Sequence, residues 1–295
     1  MRRLLLAAVM FGAASGAQAA DLSDLPILRG SFPDGLSTAT RNWDGWYVGG
    51  QIDYTSSNID LTHAPATLTN FLLRNTVIQQ PISQFGLFHA QHSQTTGFGA
   101  FAGRNFQWDE FVYGIEANYV YLQNLSTSAS AFMARRLDNP GGQILPAGHT
   151  DRWDVSISGT AALQIKDVMT FRGRVGWATG NFLPYVFGGL AVGRLSVDRS
   201  VTVNATETDV HFNTDALGNQ TEVDTLLCSA QCAFGSVTEA RGNNFTAGWT
   251  GGLGTEMMVF GNLFARVEWS YVKFLSVKNI TSDMNSARFG IGYKF

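Results

Sequence analysis

Five histidines, two cysteines and eight charged side chains set at alternate positions are the groups in this chain with evident chemistry. The histidines are His63, His89, His92, His149 and His211. Neutral imidazole ligates metals and haem iron, and His89-Ala90-Gln91-His92 sets two of them three residues apart. His63, His89 and His92 are the candidate hemin ligands; the plainer reading is solvated histidine in polar loops. His92-Ser93 brings a base and a hydroxyl together, but nucleophilic catalysis also needs an acid to orient the base, and no acid partner is identifiable. The chain is therefore read as no enzyme and is assigned no cofactor. Cys228 and Cys232, in the sequence CSAQC, form a close, even pair that reads as a local disulfide in an exported protein. The charges are Asp53, Glu116, Glu256 and Glu268 against Arg172, Arg174, Arg266 and Arg288, four of each sign.

Each of these charges lies in a segment with period-two patterning, and successive side chains of a strand point to opposite faces. The terminal segment shows it best. Ala287, Phe289, Ile291, Tyr293 and Phe295 alternate with Arg288, Gly290, Gly292 and Lys294. Seven earlier segments behave alike: about 45–56, 95–106, 110–123, 153–177, 183–197, 243–258 and 263–275. In the fourth, Met169, Phe171, Val175 and Trp177 share a parity that continues back through Ile165, Leu163, Ile157, Val155 and Trp153, so this strand is expected to protrude. These eight charges oppose the apolar faces of their segments. An arginine costs about 2–4 kcal/mol on the lipid face of a membrane barrel at midplane, so the charges are expected inside, paired across the lumen. A salt-bridged plug and a narrow ion pathway both fit that placement.

The connections 2–3, 4–5 and 6–7 are short turns (Gln107-Trp108-Asp109, Thr179-Gly180-Asn181, Gly261-Asn262). Connections 1–2, 3–4 and 5–6 are long. Short turns at one end and long loops at the other are the pattern of outer-membrane barrels. Aromatic residues gather at the short-turn end: Trp43, Trp46, Phe106, Trp108, Phe111, Trp177, Phe182, Tyr185, Phe260, Phe264, Tyr293 and Phe295. They are expected to form a girdle at the membrane boundary.

The amino terminus and the composition agree. Arg2 and Arg3, the apolar run Leu4 to Ala14 and Ala17-Gln18-Ala19 read as a secretory signal peptide over residues 1–20. Residues 21–42 read as a short periplasmic lead and 43–295 as the barrel. No later run is apolar enough for a spanning helix. Charged residues are 15%, aromatic residues 12%, and glycines number 32. Mean hydropathy is −0.00, as when lipid-facing and lumen-facing residues alternate. Removing Arg2 and Arg3 with the leader takes the formal net charge from −3 to −5, which argues against a nucleic-acid partner. The expected fold is an all-β, eight-stranded antiparallel transmembrane β-barrel with three long extracellular loops and short periplasmic turns.

Several blocks carry a family resemblance. They are Trp43-Asp44-Gly45-Trp46-Tyr47-Val48-Gly49-Gly50, Tyr113-Gly114-Ile115-Glu116-Ala117, Arg172-Gly173-Arg174-Val175-Gly176-Trp177, Leu183-Pro184-Tyr185-Val186-Phe187-Gly188-Gly189-Leu190-Ala191, Gly248-Trp249-Thr250-Gly251-Gly252-Leu253-Gly254-Thr255-Glu256 and the Tyr-Lys-Phe end. The chain resembles the small porin-like outer-membrane immunogenic β-barrel proteins of alphaproteobacteria. The resemblance implies insertion into outer-membrane lipid by the barrel-assembly machinery, with Phe289, Ile291, Tyr293 and Phe295 of the last strand as its signal. It also implies a surface antigen that stabilises the envelope, some members binding hemin. It covers the strands and not the loops, which look longer than usual, so an extracellular ligand of the loops is left open.

Overall fold

The computed structural model describes residues 41–142, 145–228 and 235–295. The expected signal peptide and most of the lead, within residues 1–40, lie outside the described residues. Among the described residues there are nine strands: β1 (Gly45–Asp60), β2 (Gln91–Trp108), β3 (Phe111–Asp138), β4 (His149–Trp177), β5 (Phe182–Thr214), β6 (Gln220–Cys228), β7 (Gly235–Phe260), β8 (Leu263–Phe274) and β9 (Thr281–Lys294). Two short helices, α1 (Ala66–Leu72) and α2 (Gln79–Ser83), lie between β1 and β2.

Eight strands close a ring of antiparallel neighbours, β1-β2-β3-β4-β5-β7-β8-β9, with β9 returning to β1. In the membrane-spanning part closure satisfies every ladder and leaves no edge, which is what lets strands cross a bilayer. The short turns fall where glycine and aspartate accept positive φ: Asp109 (58°), Gly180 (58°) and Gly261 (55°). The ninth strand, β6, is an addition. It pairs only with the far part of β5, from Glu207 to Thr214.

The long connections all lie at one end, but much of the second and third is itself strand. The 29-residue β4 is about 95 Å long at ~3.3 Å per residue, whereas a tilted strand crosses the apolar core in about 9–11 residues. Strands β3, β4, β5 and β7 therefore continue past the membrane as a four-stranded antiparallel sheet, the collar, in the order β3-β4-β5-β7.

The faces reverse where the collar begins. In the membrane portion of β4, Met169, Phe171, Val175 and Trp177 are exposed to lipid, while Thr170, Arg172 and Arg174 are buried inside. A β-bulge sits between Ile165 and Asp167. Beyond it the same odd parity turns inward: Ile165, Leu163, Ile157, Val155 and Trp153 are all buried. The expectation that they continue the lipid-facing row is thus corrected. One extra residue swaps the two faces of a strand. β3 shifts between Tyr121 and Leu125, and the β5–β7 ladder shifts between Leu195 and Val197. Asn124 and Asn243 take positive φ of 56° at those shifts, a conformation asparagine tolerates better than most residues. Below this belt the barrel is apolar outside and polar inside. Above it the collar is apolar inside and carries hydroxyls outside, among them the cross-strand pairs Thr160–Ser200 (2.8 Å) and Thr202–Ser236 (3.0 Å).

The first long connection fills the collar. Ile59, Leu61, Ala64, Leu68, Leu73, Ile78, Ile82, Leu87 and Phe88 are buried against the inward residues of β3, β4 and β5. Arg199 of β5, its side chain 2% exposed, fastens this plug. It donates to the carbonyl of Ala64 (2.6 Å), to that of Lys278 (3.1 Å) and to Glu239 of β7 (2.6 Å). Lys278 Nζ adds a 2.9 Å contact to Glu239. Hydrogen bonds from Lys278 and Arg199 hold the Glu239 carboxyl down at about 2.

Candidate functional site

The lumen below the plug is occupied by the eight charges identified from the sequence. None is more than 4% exposed. Glu116 of β3 is the hub. It accepts from Arg172 (Nη2 2.5 Å, Nε 3.1 Å), Arg266 (Nη1 2.9 Å), Arg174 (Nη1 3.2 Å) and the Tyr47 hydroxyl (2.8 Å). Glu268 accepts from Arg172 (Nη1 2.6 Å), Arg288 (Nη1 3.0 Å) and the Tyr185 hydroxyl (2.9 Å). Arg174 reaches Glu256 at 2.7 Å, and Arg288 reaches Asp53 at 2.5 Å. Gln51 joins the chains, accepting from Arg266 (2.6 Å) and Asn118 (3.0 Å) and donating to Asp53 (2.9 Å).

The network links β1, β3, β4, β5, β7, β8 and β9, and its eight formal charges sum to zero. Three guanidiniums also lie over rings: Arg266 over Phe101 (3.4 Å to the centroid), Arg174 over Tyr185 (4.0 Å) and Arg172 over Phe187 (4.1 Å). A desolvated cation over an aromatic face gains up to about 2 kcal/mol. A buried ion is tolerable only when it is paired and most of its remaining donors or acceptors are used; carboxylates, phenols, amides and rings together supply those partners here, with Arg174 Nη2 and Arg266 Nε left without a hydrogen-bond acceptor among the described residues.

At the short-turn end an apolar floor follows: Trp43, Tyr47, Phe101, Val112, Ala178, Leu183, Met258 and Phe264 form one buried cluster. Glycines directly across the ladder from two of these rings make it possible: Gly49 pairs with Phe101 and Gly292 with Phe264. A Cβ at Gly49 would stand 2.2 Å from the Phe101 ring, and one at Gly292 2.3 Å from the Phe264 ring. Trp43, Tyr185 and Phe264, expected in the boundary girdle, therefore point inward instead. Trp46, Trp108, Phe111, Trp177, Phe182, Phe260, Tyr293 and Phe295 remain exposed on the outer wall, and Phe106 is half-buried. On β9, Phe289, Ile291 and Tyr293 face outward, each about half exposed, with Phe295 beyond them.

The loop residues are arranged differently from the sequence pattern. His63 and His89 are exposed, and His92 lies on β2 rather than in a loop. His92 is bonded to Asn58 Oδ1 (2.8 Å) and Ser56 Oγ (3.0 Å), while Ser93 Oγ donates to the Ser126 carbonyl (3.1 Å). Among the described residues, one group of three potential metal ligands has its ligating atoms within 4.8 Å of one another, and it contains none of those histidines: His149, Asp209 and His211. Residue spacing gave no sign of it, because it depends on the register of β4 against β5. Cys228, at the end of β6, is disulfide-bonded; Cys232 lies outside the described residues.

The family described as outer membrane protein beta-barrel domain matches residues 4–295. The chain is similar to the 25 kDa outer-membrane immunogenic protein of Brucella ovis, 26% identical over 199 residues, covering 67% of this chain and 62% of that protein. The Brucella abortus protein of the same name is 25% identical over 208 residues, covering 67% and 64%. The chain thus spans less than two thirds of the length of these relatives. Among solved structures it is similar to Neisserial surface protein A, with a TM-score of 0.34, 11% identity and coverage of 85% of this chain and 97% of that one. The chain belongs to the outer membrane protein β-barrel domain family and resides in the cell outer membrane.

Proposed function

We propose that this protein is a non-conducting envelope barrel whose role is to anchor a rigid, hydroxyl-rich collar at the cell surface for structural support and surface contact. The observation that carries the reading is the charge-neutral network around Glu116, filling the lumen between an apolar floor and an apolar plug. An ion pathway would need a continuous file of water; here the eight charged side chains are buried and bonded to one another across the lumen. The collar's length beyond the membrane, and its apolar-inside, polar-outside pattern, suit a domain presented to an external macromolecule. Outer-membrane lipid and the barrel-assembly machinery are its proposed partners during insertion, with the aromatic row of β9 as the signal read by that machinery. Hemin capture by His63, His89 and His92 has less support, since each is separately exposed or bonded to polar neighbours.

Planar-bilayer recording of the refolded barrel tests the reading, with insertion verified independently. A silent bilayer is expected. Stable, discrete openings that change when Arg172 or Glu256 is neutralised would overturn it in favour of a narrow channel.

A further inference from the structure

At the tip of the collar, β4 and β5 pair in a register that sets His149 directly opposite His211 and Asp151 directly opposite Asp209. His149 Nδ1 lies 2.8 and 3.0 Å from the two carboxylate oxygens of Asp209. His211 Nδ1 is buried without a hydrogen-bond partner, and Asp209 Oδ2 stands 3.7 Å from it. The two imidazoles stack, with centroids 4.7 Å apart and planes 17° from parallel. Side-chain exposures are 31%, 22% and 22% for His149, Asp209 and His211.

Two further features belong to an ion site rather than to a hydrogen-bonded pair. Ligands about 2.1 Å from a common metal stand about 3.0–4.2 Å apart, depending on the angle they subtend. The unpartnered 3.7 Å gap falls in that interval, and the His149–Asp209 contact needs only slight widening. On the next rung, Asp151 is 5% exposed; its Oδ2 accepts from Trp153 Nε1 (3.1 Å), and its Oδ1 is buried with no hydrogen-bond partner among the described residues. Two carboxylates thus sit on one rung, one with an unused oxygen, beside an imidazole nitrogen with none of its bonding used. Buried polar atoms are rarely left so unless an ion or water completes them.

We propose that His149, Asp209 and His211 form a surface binding site for one divalent transition-metal cation, with Asp151 as a further carboxylate within the same face. Two imidazoles and a carboxylate select cations of borderline softness, such as Zn²⁺, Ni²⁺ or Cu²⁺, over Ca²⁺ or Mg²⁺, which take oxygen sets. Side chains no more than one-third exposed leave the remaining coordination positions to water or to a ligand arriving from outside. The site bridges β4 and β5, so a bound ion clasps the far end of the collar. It is independent of whether the lumen conducts.

The test uses the untagged, refolded barrel in detergent, its fold checked by heat-modifiable migration, with Zn²⁺ titrated calorimetrically and Co²⁺ followed by visible absorption. The expected result is one high-affinity equivalent, with ligand-field bands for Co²⁺. His149→Ala, His211→Ala and Asp209→Asn should each weaken binding at least tenfold. The triple variant of His63, His89 and His92 to Ala should bind as the parent does. Absence of a saturable site in the parent would overturn the proposal. So would unchanged affinity in a folded His149→Ala/His211→Ala variant, or loss of binding in the triple variant alone.

Discussion

Replacing Glu116 by Gln keeps the size and one acceptor oxygen of the hub but removes its charge. At an effective dielectric of about 20, unit charges ~3 Å apart attract by ~5.5 kcal/mol. Glu116 faces three such partners, at 2.5, 2.9 and 3.2 Å. Most of that attraction offsets the cost of taking the ions out of water, so the observable quantity is the cost of leaving the arginines unbalanced. Breaking a buried pair by removing one partner costs about 3–5 kcal/mol. The Gln amide would also aim N–H groups at guanidinium donors, which adds to the cost. Glu116→Gln should therefore lose about 3–5 kcal/mol of unfolding free energy, measured by urea titration in lipid vesicles with tryptophan emission and gel mobility as probes. Removing Arg266 as well, as Glu116→Gln/Arg266→Met, restores neutrality, and Met can cover part of the Phe101 ring that Arg266 overlies. The double variant should then be less destabilised than the sum of the two single variants. A Glu116→Gln protein within about 1 kcal/mol of the parent would refute the argument that the hub balances buried charge.

Three other outcomes follow from the same structure. Val267 faces lipid at 55% exposure, so Val267→Arg should cost about 2–4 kcal/mol and lower the yield of refolded, heat-modifiable barrel; insertion equal to the parent's would reverse the face assignment of β8. Arg199→Ala removes the three-way fastening of the plug, and residues 61–90 should then exchange amide hydrogens at least tenfold faster while the membrane strands do not. The Glu239 carboxyl, depressed to about 2 in the fold, has an ordinary unfolded value near ~4.3. Its contribution is present above pH ~4.3 and is lost as pH falls toward ~2. Plug exchange, corrected for intrinsic rates, should rise in that interval and be insensitive to pH between 6 and 8.

The membrane half of the molecule was legible because lipid imposes one rule on every strand. Alternation in 287–295 and around Glu116, Arg172 and Arg266 fixed which residues face inward, and turn chemistry at Gly180 and Gly261 fixed the ends. The collar was not legible, because a single residue at the Lys166 bulge inverts the meaning of parity for Ile165, Leu163 and Ile157, and nothing in that residue's type announces it. Asn124 and Asn243 at the other shifts were weak signals. The plug's histidines and the length of its connection suggest a polar loop, although Leu68, Leu72, Leu73, Ile78 and Ile82 supply apolar side chains to its two short helices and their flanks; its burial depends on a collar that strand parity hides. Trp43, Tyr185 and Phe264 escape a reading by aromatic type, which does not distinguish a lipid-facing ring from one turned into the lumen over a cross-strand glycine. The His149–His211 rung needed the β4–β5 register, which two widely separated segments do not reveal.

The most direct test of a sealed lumen below an inverted collar is the reactivity of single cysteines along β4 toward a charged, membrane-impermeant thiol reagent, under non-reducing conditions in vesicles. Ser158→Cys and Thr160→Cys, on the outer face of the collar, should label rapidly. Ile157→Cys, facing the plug, and Thr170→Cys, facing the charge network, should be protected. Labelling of Thr170→Cys as fast as Ser158→Cys would mean a water-filled lumen, and rapid labelling of Ile157→Cys with protection of Ser158→Cys would mean that the faces do not reverse; either result contradicts the account.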